Sequence, residues 1–296
     1  MRNAPASICV VLAVSAFLAV PSNNATNQGK PVYRTTGNEA NLAGTVSFVG
    51  VPPQPRRIDV SADPICELIN PEPLTEDVVV TDGKLANVFV YALAGDALEA
   101  YQFAAPSSDV FLEHKGCQYV PRVLGMQTQQ ILKILNSDPT THNTHPIPKN
   151  NREWNQSQPP GASPIEHGFE SRELFIPVKD NQHPWEKAYV GVFLHPFFAV
   201  SNRDGLYKIA GLPPGQYTIV AWHEKYGEQT VDVSIGRRED KRLDFTVSEL
   251  TTKPDKLLDR TARSHGAQTS VKPCAQLLRD GLRFRATWNV ASNIPL

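Results

Sequence analysis

Two short stretches gather the side chains best suited to holding a metal ion or a proton. The first runs Asn136-Ser-Asp-Pro-Thr-Thr-His142-Asn-Thr-His145, and the second, in a later segment, runs Asp180-Asn-Gln-His183-Pro-Trp185-Glu186. Imidazole nitrogens and carboxylate oxygens at such spacing suit Zn(II) or a tetragonal Cu(II). The same residue types suit hydrogen bonds or a salt bridge on a loop surface, and the residues alone leave both readings open. His145, beside threonines in a Pro-rich stretch, is either an outer ligand or a plain surface group. His195 in Leu194-His-Pro196-Phe-Phe198 is expected to end a strand with its ring against aromatics. His223-Glu224 lacks the second histidine of a zinc-protease helix, because position 227 is Gly.

No catalytic constellation accompanies these groups. The chain has no haem-attachment Cys-x-x-Cys-His, no phosphate loop, no Gly-x-Ser-x-Gly nucleophile turn and no dinucleotide-binding glycine pattern. Glu166 and Glu170 lie in a polar loop with no apolar pocket to tune them. The expectation is a protein that is not an enzyme. With 29 basic and 30 acidic residues, nothing favours a polyanion or an anionic membrane as partner, so nucleic acid is excluded.

The elements that must position these side chains are strands. Twenty-five prolines and eighteen glycines punctuate many short apolar runs over 296 residues, the pattern of an all-β protein. Strands are expected at 44–50, 77–80, 86–93, 109–112, 130–135, 173–178, 188–194, 206–209, 216–223, 229–235 and 241–247. No amphipathic helix competes with them before residue 250. The connection 146–171 is polar and Pro-rich, and at about 25 residues it is longer than loops usually are. Trp185, Trp222, Tyr189, Phe193, Phe197, Phe198 and Tyr217 could line a ligand groove, although alternating strand positions favour core packing.

Residues 1–27 combine Arg2 with an apolar run from Ile8 to Val20, too short to span a bilayer at roughly 20 residues, and are expected to be an export signal. No stable membrane span is expected in the mature chain, whose location would be the periplasm or cell surface. Cys9 would leave with the signal. In an oxidising compartment Cys66 and Cys117, each beside turn residues, are expected to form a disulfide, with Cys274 left over.

Two family resemblances follow from particular residues. Ser201-Asn-Arg-Asp-Gly205-Leu-Tyr-Lys-Ile-Ala-Gly211-Leu-Pro-Pro-Gly215-Gln-Tyr217 resembles the carboxypeptidase regulatory-like (transthyretin-like) β-sandwich. Gly44-Thr-Val and Asn87-Val-Phe-Val-Tyr91 resemble the first half of such a sandwich. Between them, Phe111 to Pro121, Gln130 to Asp138 with His142-Asn143, and Asp180 to Glu186 resemble a cupredoxin of the plastocyanin and amicyanin type. That resemblance implies a Greek-key sandwich in which His142 and His183 are copper ligands, while Asp180 and Glu186 occupy the positions of the copper cysteine and methionine. A type 1 copper centre needs the thiolate. With both sulfurs replaced by acids, an electron carrier of that kind is not expected.

The resulting expectation is an exported all-β protein: signal at 1–27, first half of the transthyretin-like sandwich at 28–95, cupredoxin-like domain at 96–197, second half at 198–248 and polar tail at 249–296. In this reading the cupredoxin-like domain is spliced into the other sandwich, with simple tandem arrangement as the alternative. Its function would be binding or structural, with a degenerate copper site at His142, Asp180, His183 and Glu186 open to a hard divalent metal. A copper electron-transfer protein and a carbohydrate-binding accessory module are the alternatives.

Overall fold

In the computed structural model, which describes residues 29–249, the chain builds four β-sheets. The expected export signal and nearly all of the expected polar tail, with Cys9 and Cys274, lie outside the described residues. The opening strand Ala40–Val49 turns Ala40, Leu42, Val46 and Phe48 inward. It pairs antiparallel with Leu206–Leu212 and Lys84–Leu85, and parallel with Asp240–Arg242 and Phe245–Ser248. Facing this sheet is a second, in the order Phe198–Val200, Phe89–Gly95, Gly215–His223, Gly227–Ile235. Leu42, Val46, Leu85, Val90, Ile209 and Ile219 pack between them.

The remaining strands make a second sandwich. One sheet orders Gln156–Gln158, His142–Pro146, Glu173–Lys179, Lys187–Phe193 and Val123–Gln127. The other orders Ile165–His167, Leu132–Asn136, Val110–His114 and Tyr119–Val120. Leu112, Met126, Leu132, Ile134, Ile176, Val178, Val190 and Val192 fill the space between. Strands before residue 96 thus share sheets with strands after 197, and the strands between those points share sheets only with one another.

The strand Phe89–Gly95 explains how the two sandwiches meet. Val90 and Ala92 face the first core, while Phe89 and Tyr91, pointing the other way, are equally buried against Phe193 and Val220. A strand apolar on both faces needs a layer on each side. Room for the rings comes from Gly125 and Gly191, direct partners in the parallel pairing of Val123–Gln127 with Lys187–Phe193. A Cβ on Gly125 would fall 2.5 Å from Phe198 Cε2, and one on Gly191 would fall 2.8 Å from Phe193 Cε2.

Several expectations need correction. The segment 77–80 forms only the short strand Val80–Thr81. The run 241–247 is split in two, because the opening strand changes parallel partner within it. The long connection 146–171 carries the strands Gln156–Gln158 and Ile165–His167. Two short helices, Pro64–Ile69 and Asp96–Ala100, were not anticipated. The first is set by Asp63, whose carboxylate caps the amides of Ile65 and Cys66, with Pro64 at the first helical position where its missing N–H costs nothing.

Candidate metal centre

Three segments of the second sandwich bring their polar side chains to one point. His142 opens the strand His142–Pro146. Asp180, His183 and Glu186 lie in the turn between Glu173–Lys179 and Lys187–Phe193. His114 closes the strand Val110–His114. All five are buried, with His142 and His114 at 0% exposure.

Asp180 organises the turn. Its Oδ1 accepts the amides of Gln182 at 2.7 Å and His183 at 2.9 Å, and its Oδ2 accepts the amide of Asn143 at 2.9 Å. The same Oδ2 lies 3.1 Å from His142 Nδ1 and 3.2 Å from His183 Nδ1. Glu186 Oε1 lies 3.0 Å from His142 Nδ1 and 3.9 Å from His183 Nδ1. Glu186 Oε1 is nonetheless a buried oxygen without a hydrogen-bond partner. One N–H on His142 Nδ1 cannot serve Asp180 and Glu186 together.

A second ring of acids holds the far nitrogens. His142 Nε2 meets Asp138 Oδ2 at 3.1 Å, and His183 Nε2 meets Asp63 Oδ2 at 3.0 Å. Asp138 is fixed by the amides of Gly116 at 2.7 Å and Cys117 at 2.8 Å; Asp63 is fixed by its helix amides and the Thr140 hydroxyl at 2.8 Å. The disulfide Cys66–Cys117 ties the two supports together, since Cys66 follows Asp63 in the helix and Cys117 donates to Asp138. Trp185 closes this side by donating Nε1–H to the Cys117 carbonyl at 3.0 Å.

The electrostatics follow from this crowding. Burial opposes a charge on His142, but the attraction of Asp138, Asp180 and Glu186 overcomes it and raises its pKa to about 11. His183 is raised in the same way, burial being outweighed by Asp180 and Asp63. Asp180 is held far below the carboxylate range despite burial, by both imidazoles and the amides of Asn143 and His183. Asp63 falls to about 2 against its burial, through His183, Thr140 and the helix amides.

The sequence-selected residues His142, Asp180, His183 and Glu186 therefore stand together. His145 stays at the rim, between Asn181 Oδ1 at 3.1 Å and Glu153 Oε1 at 2.7 Å. His195 packs between Phe193 and Phe197 as expected, and Glu224 makes a two-pronged ion pair with Arg122 at 2.5 and 3.0 Å. The sequence reading missed His114, whose Nδ1 lies 2.8 Å from Glu186 Oε2 and whose Nε2 lies 3.0 Å from the Thr144 hydroxyl. Its ring stacks on His142 at 4.4 Å and 11°. The signal was strand parity: with Leu112 inward, His114 must point inward too.

Two candidate donor sets share His142, Asp180 and Glu186 and differ in the remaining imidazole. Ligand atoms of His114, His142, Asp180 and Glu186 all lie within 4.8 Å of one another. Both nitrogens of each imidazole are engaged, those of His114 by Glu186 and Thr144 and those of His183 by Asp180 and Asp63, and His183 presents Nδ1 to the same two acids that His142 faces. A tetrahedral ion with 2.0–2.1 Å bonds needs donor separations of about 3.3 Å. The four separations between the two Nδ1 atoms and the two oxygens, 3.0, 3.1, 3.2 and 3.9 Å, bracket that value.

A blue copper centre does not fit these residues. Cys66 and Cys117 each lie within 4.8 Å of an imidazole nitrogen of His183 or His142, but they are bonded to each other and offer no thiolate. Met126 is buried in the sandwich core. Among the described residues no other sulfur exists.

Comparison with known proteins gives one family match: residues 178–248 fit the carboxypeptidase regulatory-like domain. The match begins inside the strand Glu173–Lys179, upstream of the expected boundary at 198. No curated protein matches. Among solved structures, a Cu-containing nitrite reductase from Thermus scotoductus SA-01 aligns at 15% identity and TM-score 0.28 over 34% of this chain, which spans 25% of that enzyme. A purple cupredoxin from Nitrosopumilus maritimus aligns at 21% identity and TM-score 0.25, covering 28% of this chain and 99% of its own. A mutant of amicyanin in its Cu(I) form aligns at 13% identity and TM-score 0.26, covering 36% and 98%. The described residues are nearly all strand, in four sheets, and residues 178–248 match the carboxypeptidase regulatory-like domain. No helix among the described residues is long and apolar enough to cross a membrane.

Proposed function

We propose that this protein is an exported, non-enzymatic binding module of the cell envelope that holds one borderline divalent cation, Zn(II) or Cu(II), through His142, His183, Asp180 and Glu186. In this reading residues 96–197 form a cupredoxin-like domain inserted between the two halves of the other sandwich. The observation that carries the proposal is the orientation of the imidazoles. Both turn Nδ1 toward the shared acids and give Nε2 to a separate carboxylate, Asp138 or Asp63. A carboxylate behind the distal nitrogen fixes the tautomer that leaves the proximal nitrogen free to ligate, the usual support of a metal-binding histidine.

Charge supports the same reading. In the absence of an ion the Nδ1 protons neutralise Asp180 and Glu186, and a dication replaces two such protons charge for charge. The bound ion would supply a fixed positive charge linking the turn 180–186 to the strand His142–Pro146. The thiolate needed for rapid electron transfer is missing from the described residues, which favours a binding role over a redox one.

The test is metal analysis of the full protein purified from its native compartment, with His183→Ala as control. The expected result is close to one equivalent of Zn or Cu in the natural protein and its loss in the variant. Metal content unchanged by the substitution overturns the site. Addition of Cu(II) without reductant should give no intense thiolate-to-copper absorption, and its appearance would establish the redox alternative.

A further inference from the structure

A separate cavity of about 550 Å³ lies where the helix Asp96–Ala100 and the segment after it meet the ends of the second sandwich. Its floor and walls include Leu93, Leu98, Tyr101, Phe103 and Leu194. Three of these are unusually exposed for their size: Leu93 at 44%, Tyr101 at 37% and Leu194 at 57%. Large apolar side chains gathered at one opening mark a binding surface more often than scattered ones do. The volume lies within the range of small-molecule sites.

The polar part of the lining is one-sided. Lys30 and Arg172 are its charged members, and no aspartate or glutamate belongs to it. Lys30 Nζ gives one hydrogen to the Leu98 carbonyl at 3.0 Å and has two left. Arg172 makes no hydrogen bond or ion pair with any described residue, and its Nη2 is buried without a partner. An unpaired guanidinium in a half-buried position is costly unless an anion meets it. Its field is felt nearby: burial and the charge of Arg172 push His195, another lining residue, down to about 4, so His195 is neutral at pH 7.

We propose that this cavity binds an apolar monocarboxylate, its hydrocarbon body against Leu93, Tyr101, Phe103 and Leu194 and its carboxylate paired with Arg172 and Lys30. The site is independent of the candidate metal centre, sharing none of its residues.

Isothermal titration of the full protein with decanoate and with its neutral counterpart decanamide tests the assignment. Decanoate is expected to bind at least tenfold tighter than decanamide, the preference one charge-assisted hydrogen bond supplies at about 1.4 kcal/mol per tenfold. Arg172→Gln should abolish that preference, and Leu194→Ser should weaken both ligands. Equal affinity for the two ligands, retention of the preference in Arg172→Gln, or no binding of decanoate at millimolar concentration would each overturn the proposal. Thermal unfolding of both variants separates loss of the site from loss of the fold.

Discussion

His114 holds Glu186 by one oxygen and leaves the other facing His142. The contact from His114 Nδ1 to Glu186 Oε2 is 2.8 Å with both side chains fully buried, while Glu186 Oε1 lies 3.0 Å from His142 Nδ1 and makes no hydrogen bond. A carboxylate pinned this way is a preorganised ligand. Replacing His114 by Ala should lower the affinity for Zn(II) about 10–100-fold, as loss of outer support usually does. His145→Ala, at the rim, should leave it unchanged. Competition against a chromophoric chelator measures both, and wild-type affinity in His114→Ala would show that Glu186 needs no such support.

Metal uptake should release protons. His142, raised to about 11, carries a proton at neutral pH that must leave when Nδ1 becomes a ligand. Titrating Zn(II) at pH 7.5 in buffers of different ionisation enthalpy should show at least one proton released per ion. Zero release would mean that His142 does not ligate.

Stability without metal should depend on pH in a window fixed by the same groups. His142 gains affinity for its proton on folding, so its contribution is complete below the unfolded value of 6.5 and is lost as pH rises through about 11. Asp63, depressed to about 2, contributes above its ordinary value of 3.8 and loses that contribution as pH falls through about 2. The metal-free protein should therefore be most stable between about pH 4 and 6.5, with Tm declining on the alkaline side. Zn(II) should flatten the alkaline decline, because it replaces the proton that would otherwise be lost. Thermal melts from pH 3 to 10 with and without Zn(II) check this, and a metal-free Tm that is flat from 6.5 to 10 would contradict it.

The convergence of His142, Asp180, His183 and Glu186 was legible because they sit in two short stretches where imidazole and carboxylate alternate. The supports were harder to see for a physical reason. Asp63 and Asp138 do local work as well, one capping a helix and the other accepting loop amides, and such roles resemble ordinary turn chemistry in a sequence. His114 comes from a strand with no other histidine. The strand His142–Pro146 escaped notice for the opposite reason: its inward side chains are polar because they build the site, so the apolar alternation that betrays a strand is missing.

The disulfide joins these supports across 51 residues of chain. Closing a loop of that length restricts the unfolded chain by about 4 kcal/mol in the chain-entropy account. The double variant Cys66→Ser, Cys117→Ser should lose stability of that order in urea unfolding and also bind Zn(II) more weakly, since Asp63 and Asp138 are no longer tied. Unchanged Zn(II) affinity in a folded double variant would separate the bridge from the site.

The opening strand shows what a motif hides. Gly44-Thr-Val marks the start of a sandwich in the sequence, but the need for glycine arises from a partner nearly two hundred residues away. Gly44 sits where the parallel pairing passes from Asp240–Arg242 to Phe245–Ser248. A Cβ there would fall 1.8 Å from the Leu243 carbonyl oxygen, which also accepts the Tyr207 hydroxyl. The obstacle is backbone, held by the bond from Leu243 N–H to the Ala43 carbonyl at 3.0 Å, so it cannot swing aside as a side chain would. Gly44→Ala should destabilise the protein by about 3 kcal/mol, the upper part of the usual range for overpacking. Chemical denaturation reads the change, and a loss below about 0.5 kcal/mol, the level of an ordinary surface substitution, would mean that the strand junction is looser than its geometry implies.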